Sequence, residues 1–380
     1  MKIGIDARIF GVKEAGLGRY AQELVGNLAR FDRKNQYALF VRKKTKKQLT
    51  INQLGNLAVI EANFSHYSLL EQILMPPFLY RAKCDLVHFL HFNVPIFYFR
   101  PYVVTIHDLI KHESKGLATT TRNPILYWLK YLGYLLVVWL AAKRAKKVIV
   151  PSRWVKEKVV RQFGLERNKV VVIYEGVSEN IKYQISNIKY QKEVLEKYKI
   201  KKPYLLYVGS VYPHKNVERL IEAVRTVNQS SITLVIVCAR SVFWERLKRK
   251  INQMKARGFV KLIGFVPEND LPVLYQSAHA FVFPSLSEGF GLPGLEAMAC
   301  GTPVICSDIP VFREIYGESA VYFDPYRVDD IARRILEVLH YDAMTHHSRV
   351  EEGKRWVKKF SWEKCAKETL KVYEGLESRI

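Results

Sequence analysis

The chain has 380 residues, 49% of them hydrophobic, enough for two or three domains with real cores; this excludes a disordered protein. Lys and Arg number 60 against 36 Asp and Glu, and the net charge of +24 favours anionic partners: nucleic acid, anionic lipid or phosphorylated substrates. Five scattered cysteines (Cys84, Cys238, Cys300, Cys306, Cys365) with no C-x-x-C pair speak against a disulfide framework or a zinc site and for a reducing cytoplasm. The basic clusters at 42–47, 142–147, 199–202 and 246–250 are dispersed, with no zinc-finger spacing and no aromatic RNA-binding signature. Most of these lysines read as solvated faces, and no nucleic-acid partner is expected.

In chain order, "MKIGIDARIF" opens as a strand, without the apolar core of a signal peptide, so a cytoplasmic location is expected. "EAGLGRYAQEL" follows; Gly16 and Gly18 either admit a ligand close to the backbone at a helix start or simply form a turn. The runs "KIGIDA", "QYALFV", "DLVHFL", "YVVTIHD", "KKVIVPS" and "KVVVIYE" read as strands separated mostly by helices. His88 and His91 of "VHFLHF" fall on opposite faces of a strand and make a poor metal pair. His107 ends the strand of "VVTIHDL", where it either meets a substrate hydroxyl or serves the fold. The stretch 125–147 is largely apolar for about eighteen residues, near the length of a membrane span. Lys130 and Gly133 interrupt it, and strand-like "KVIVPS" resumes at once, which disfavours a span. A long helix buried against a sheet is expected; the alternative is a helix lying in a membrane interface, basic side toward the headgroups.

A polar stretch, 178–203, reads as a linker running into a helix. Alternation then restarts with "YLLYVGS", "ITLVIVCA", "VKLIGFV", "HAFVFPS", "PVICSD" and "AVYFDP", with amphipathic helices between. Two such series imply an α/β protein of two doubly wound parallel-sheet domains facing across a ligand cleft. In "YVGSVYPHKNVERL", Lys215 stands at a predicted helix start, where a cation is poorly placed unless an anion, phosphate above all, binds there.

"SEGFGLPGLEAMACGTPV" (287–304) reads as loop, short helix and turn between two strands, with Pro293 at the helix start and Gly301 just past its end. Glu288 falls in the loop and Glu296 is expected in the helix's first turn. The N–H groups of Phe290, Gly291 and Leu292 gather at the same place, so one spot offers acceptors for sugar hydroxyls and donors for phosphate. The plainer alternative is a strand–helix unit with two solvated glutamates.

Taken together, "SLSEGFGLPGLEAMACGTPVICSD" with its two glutamates eight residues apart, "YVGSVYPHKN", "VVTIHDL", "VIVPSRWVKEKVVRQFGL", "IYEGV" and "FDP", in that family's order, resemble the retaining glycosyltransferases of family 4, the group 1 glycosyltransferases of the GT-B fold. The resemblance covers nearly the whole chain. It implies an N-terminal acceptor-side Rossmann-like domain (1–178), a linker (179–202), a nucleotide-sugar-binding Rossmann-like domain (203–360) and a last helix (361–380) crossing back to the first domain.

The resemblance also implies roles. Glu296 would accept from the nucleotide ribose, and Lys215 would neutralise the diphosphate. The backbone at Gly16, Gly18, Phe290, Gly291 and Leu292 would hold phosphate and sugar oxygens. Glu288 would face the reacting sugar carbon, and His107 an outer sugar hydroxyl. Where many members have "PRKN" this chain has His214, and Ser210 stands where some have arginine; both departures put phosphate charge compensation in doubt. No D-x-D-type acidic pair is placed to hold a metal, so no metal and no cofactor are expected. The overall pattern is most similar to bacterial mannosyltransferases of surface polysaccharides. GDP-mannose is therefore the expected donor, with UDP-sugars open, and a saccharide or lipid-linked acceptor, with peripheral contact to an anionic inner membrane face. Rival readings are a sugar-nucleotide-binding module without catalysis, a nucleotide-sugar epimerase, and a nucleic-acid-binding protein.

Overall fold

The structure, a computed structural model, describes residues 1–11, 15–46, 56–64, 66–113, 124–182, 187–227 and 232–378. The chain falls into two compact units. One is built from Met1–Glu113, residues 124–176 and the segment from Ser361 onward; the other from Val177–Phe360.

In the first unit the apolar runs become β1 (Lys2–Asp6), β2 (Gln36–Val41), β3 (Leu57–Glu61), β4 (Leu86–Phe89), β5 (Tyr102–Thr105), β6 (Lys147–Val150) and β7 (Val170–Val172). They form a parallel sheet in the order β3-β2-β1-β4-β5-β6-β7. The second unit holds β8 (Tyr204–Val208), β9 (Thr233–Val237), β10 (Val260–Ile263), β11 (Ala280–Phe283), β12 (Val304–Ser307) and β13 (Ala320–Phe323), parallel in the order β10-β9-β8-β11-β12-β13. Most central strands are buried throughout, which is why they read as unbroken apolar runs. β3 goes beyond the six strands expected in the first series. It lies at the sheet edge and is partly exposed, so its short "LAVIE" gives a weak signal. Strand order reverses between β1 and β4 and again between β8 and β11, and in such sheets ligands bind beyond the strand carboxyl ends at these points.

One correction concerns a helix. The helix Pro124–Arg144 is not buried as expected: Val138, Ala141 and Ala142 pack into the core, while Trp128, Leu129, Leu132, Leu136 and Trp139 are exposed. The sheet can cover only one stripe of a helix that is apolar nearly all round. Among the described residues no helix is long and apolar enough to cross a membrane. The stretch 178–203, read as a linker running into a helix, carries the helices Glu179–Lys182 and Ile188–Lys197. The second is tied down at Asp270, which accepts from Lys197 Nζ (2.7 Å), the Tyr198 hydroxyl (2.8 Å) and the Tyr190 hydroxyl (2.9 Å).

The first unit is fastened by polar groups taken wholly out of water. Arg8 follows β1 and is buried; its guanidinium grips Asp6 through two bonds (2.7 and 2.6 Å) and Glu71 through one (2.6 Å). The last helix, Trp362–Glu377, is pinned through Tyr373, whose hydroxyl bonds His88 Nδ1 at 2.6 Å, while Nε2 of the same ring bonds Thr105 Oγ1 at 2.8 Å. At Gly176 a Cβ would lie 2.2 Å from the Trp362 backbone nitrogen, so only glycine lets that helix start where it does.

Burial pushes the His88 imidazole down to about 3, and His91 is likewise lowered. The unfolded chain takes up a proton below about pH 6.5, whereas folded His88 stays neutral until about pH 3, so its contribution is full above pH 6.5 and is lost as pH falls between those values. Urea unfolding at pH 7 and pH 5 should therefore show the wild type losing about 2 kcal/mol more than His88→Gln. Equal losses would mean that His88 is not held neutral.

Candidate active site

Beyond the carboxyl end of β8 come Gly209 and Ser210, then a tight turn, Pro213–Lys215, and the helix Val217–Val227. The turn is held from three sides. The Tyr207 hydroxyl donates to the Ser210 carbonyl (2.5 Å), the Leu286 N–H to the His214 carbonyl (2.8 Å) and the Asn216 amide to the Pro325 carbonyl (2.8 Å). Asn216 itself takes the left-handed conformation (φ 59°), which breaks the chain between turn and helix. Lys215 thus stands two residues ahead of the helix, and its Nζ lies 2.5 Å from Glu288 Oε1. Both side chains are largely shielded, 15% and 10% exposed, so the pair is screened far less than a surface ion pair. The anion that Lys215 meets is one of the two signature glutamates. The Ser210 side chain is exposed and only its carbonyl is engaged in the turn.

Beyond β11 the loop carrying Glu288 runs into the helix Leu292–Ala299, with Pro293 at its start and Gly301 (φ 79°) just past its end. Gly291 caps it in a left-handed conformation (φ 106°). The buried Tyr316 dictates both glycines: its hydroxyl donates to the Gly291 carbonyl at 2.5 Å, and a Cβ at either Gly291 or Gly294 would come within 2.4 Å of its oxygen. This packing turns the N–H groups of Gly291 and Leu292 ahead of the first helical turn, where no helix carbonyl can take them. Burial keeps the Tyr207 and Tyr316 hydroxyls protonated. Phe290 and Leu292 are buried, and the Phe290 ring meets Phe360 edge-on at 5.8 Å.

Glu296 corrects the expectation for it. The helix begins at Leu292, so Glu296 lies in its second turn, and it is buried with Oε2 accepting the Tyr275 hydroxyl at 3.0 Å. A carboxylate kept in that position needs hydrogen-bond donors, and Tyr275 supplies one.

The remaining candidates belong to the first unit. Gly16 and Gly18 lie in the first turn of the helix Ala15–Phe31; Gly16 is exposed and a Cβ there would meet nothing within 4 Å, whereas Gly18 is buried. His107, just past β5, bonds the Leu90 carbonyl through Nε2 (3.0 Å) and Glu175 Oε1 through Nδ1 (3.1 Å). A carbonyl only accepts, so Nε2 carries a proton. The Nδ1–Oε1 contact then needs one further proton between the ring and the Glu175 carboxyl. A substrate hydroxyl reaches a ring nitrogen of His107 only by displacing one of these partners. Among the described residues no cluster of His, Cys, Asp and Glu is arranged to hold a metal ion, and all five cysteines are buried and free.

Sequence reasoning did not single out Glu175, Tyr275 or Tyr316. Glu175 had a signal, a carboxylate three residues past a strand in "IYEGV". The two tyrosines had none, because their roles rest on contacts with residues distant in sequence.

Two α/β units with parallel sheets, and donor and acceptor groups beyond the strand ends, form the setting in which open α/β sheets bind ligands. The family described as Glycosyltransferase Family 4 matches residues 15–180, and Glycosyl transferases group 1 matches residues 190–356. The chain is 31% identical to the O-antigen chain mannosyltransferase RfbU of Salmonella typhimurium over 249 residues, 60% of this chain and 67% of that one. It is 32% identical to the O-antigen chain mannosyltransferase B of Escherichia coli over 240 residues, 61% of each. In fold it is similar to a sucrose-phosphate synthase from Thermosynechococcus elongatus, with TM-score 0.79, 21% identity and full coverage of both chains. The chain belongs to the group 1, family 4 glycosyltransferases, and its fold is GT-B.

If His107 and Glu175 act as one unit, His107→Gln and Glu175→Gln should each lower kcat/KM by about tenfold or more, and the double variant should be no worse than the singles. Multiplying losses in a glycosyl-transfer assay would show independent roles.

Proposed function

We propose that this glycosyltransferase moves a hexose, mannose first, from GDP-mannose to a saccharide or lipid-linked acceptor, without a metal ion and with retention at the anomeric carbon. The observation that carries this reading is the Lys215–Glu288 pair beside the helix start at Gly291 and Leu292. Breaking a sugar–diphosphate bond sends its electron pair to the phosphate oxygen and leaves positive character on the sugar carbon. The first charge needs a cation and N–H donors, the second a carboxylate, and this place supplies both. Lys215 and the N–H groups of Gly291 and Leu292 would receive the diphosphate. Glu288, released from Lys215, would face the sugar. Glu296 would hold the ribose hydroxyls with its position fixed by Tyr275. The acceptor hydroxyl oxygen then bonds the sugar carbon, and its proton leaves with the phosphate side. Mannose is favoured by the O-antigen mannosyltransferases among the relatives.

A transfer assay with GDP-mannose, UDP-glucose and UDP-galactose tests this. GDP-mannose should be turned over fastest with the chelator EDTA present. Glu288→Gln should lower kcat by about a hundredfold, and Glu296→Ala should act mainly on KM. Preference for a UDP-sugar would overturn the donor assignment, and loss of activity with EDTA the metal-free one.

A further inference from the structure

The exposed side of the helix Pro124–Arg144 is not an ordinary solvated face. Trp128 (48% exposed), Leu129 (63%), Leu132 (61%), Leu136 (52%) and Trp139 (47%) stand open to water. At 100° per residue they fall within an arc of about 100°, and the two tryptophans lie about 16 Å apart along the axis. The patch continues past the helix's end. Arg144 donates to the Ile96 carbonyl (2.7 Å) and lies over the Phe99 ring, 5.2 Å from its centre, and both Phe97 and Phe99 are exposed.

The helix itself carries charge of one sign. The helix contains no Asp or Glu, and it ends in Lys143 and Arg144, followed by Lys146 and Lys147. Lys169 joins them, its Nζ on the Lys143 carbonyl at 2.6 Å. Burial, and then the nearby ammonium group of Lys143, push the Lys169 ammonium downward, with Glu166 acting in the opposite sense. Tryptophan and leucine on one face with lysine and arginine at its border suit an apolar layer beneath an anionic one. A second copy of the chain fits less well, since its own helix brings no carboxylate to these cations.

We propose that this face, the exposed side of Pro124–Arg144 with Phe97 and Phe99, docks on an anionic lipid bilayer, the helix lying in the interface with its tryptophans among the acyl chains. The proposal is independent of the donor chemistry.

The test is flotation of the full chain with vesicles of phosphatidylcholine alone or with 30% phosphatidylglycerol, at about 150 mM salt, where exposed charges are screened beyond about 8 Å. The chain should float with the anionic vesicles and not the neutral ones. Leu132→Glu/Leu136→Glu, and separately Lys143→Glu/Lys146→Glu, should each weaken binding at least tenfold while keeping the circular dichroism of the wild type. In the wild type, lipids brominated on the acyl chains should quench tryptophan emission, and Trp128→Phe/Trp139→Phe should abolish that quenching. No flotation with anionic vesicles, equal flotation with neutral ones, or quenching unchanged in the tryptophan variant would overturn the proposal. So would a dimer that Leu132→Glu/Leu136→Glu dissolves, which would assign the face to a second copy.

Discussion

On the proposed reading, the chemistry of the second unit turns on the ion pair between Lys215 and Glu288. The two residues are 73 positions apart in sequence, yet their charges meet at 2.5 Å in a place mostly closed to water. There the attraction is strong, and an unpaired member would be costly. A diphosphate is the natural competitor for the lysine, because its two phosphates together carry more charge than a carboxylate and accept through several oxygens. On the proposed reading the donor trades places with Glu288. The same event that seats the diphosphate on Lys215 leaves an ionised carboxylate beside the sugar. One cation thereby couples substrate binding to the readiness of the catalytic group.

That exchange works only if neither group can drift, and the surroundings hold both. The Pro213–Lys215 turn is bonded to the Glu288 loop through His214 and Leu286, and to the segment after β13 through Asn216 and Pro325. Tyr316 fixes the helix start from beneath and excludes a side chain at Gly291 and Gly294. Donors fixed in advance stabilise developing charge without reorganising, which is where most electrostatic catalysis arises. In the first unit His107 shows the same economy of motion, with both ring nitrogens already engaged by Glu175 and Leu90.

Much of this was legible in the sequence, for a physical reason. Strands buried on both faces must be largely apolar, so β5, β8 and β11 announce themselves, and the glycines and proline around Leu292–Ala299 mark both ends of that helix. An edge strand such as β3 carries no such obligation and is silent. Periodicity could not show that Pro124–Arg144 leaves its leucines and tryptophans in water, because apolarity records what a face tolerates and not what covers it. Glu296 lies one turn deeper in its helix than the residue types suggest, since the helix start depends on backbone angles at Gly291. The pairing of Lys215 with Glu288, and of Glu296 with Tyr275, joins segments distant in sequence and appears only once the sheet order is known.

The exchange at Lys215 can be measured directly by calorimetric titration of GDP into the wild type, Glu288→Gln and Lys215→Met at low and moderate salt. If Glu288 occupies the lysine until the diphosphate displaces it, Glu288→Gln should bind GDP as tightly as the wild type or tighter, and Lys215→Met should lose about tenfold or more. Weaker binding by Glu288→Gln together with unchanged binding by Lys215→Met would contradict the exchange and place the diphosphate elsewhere.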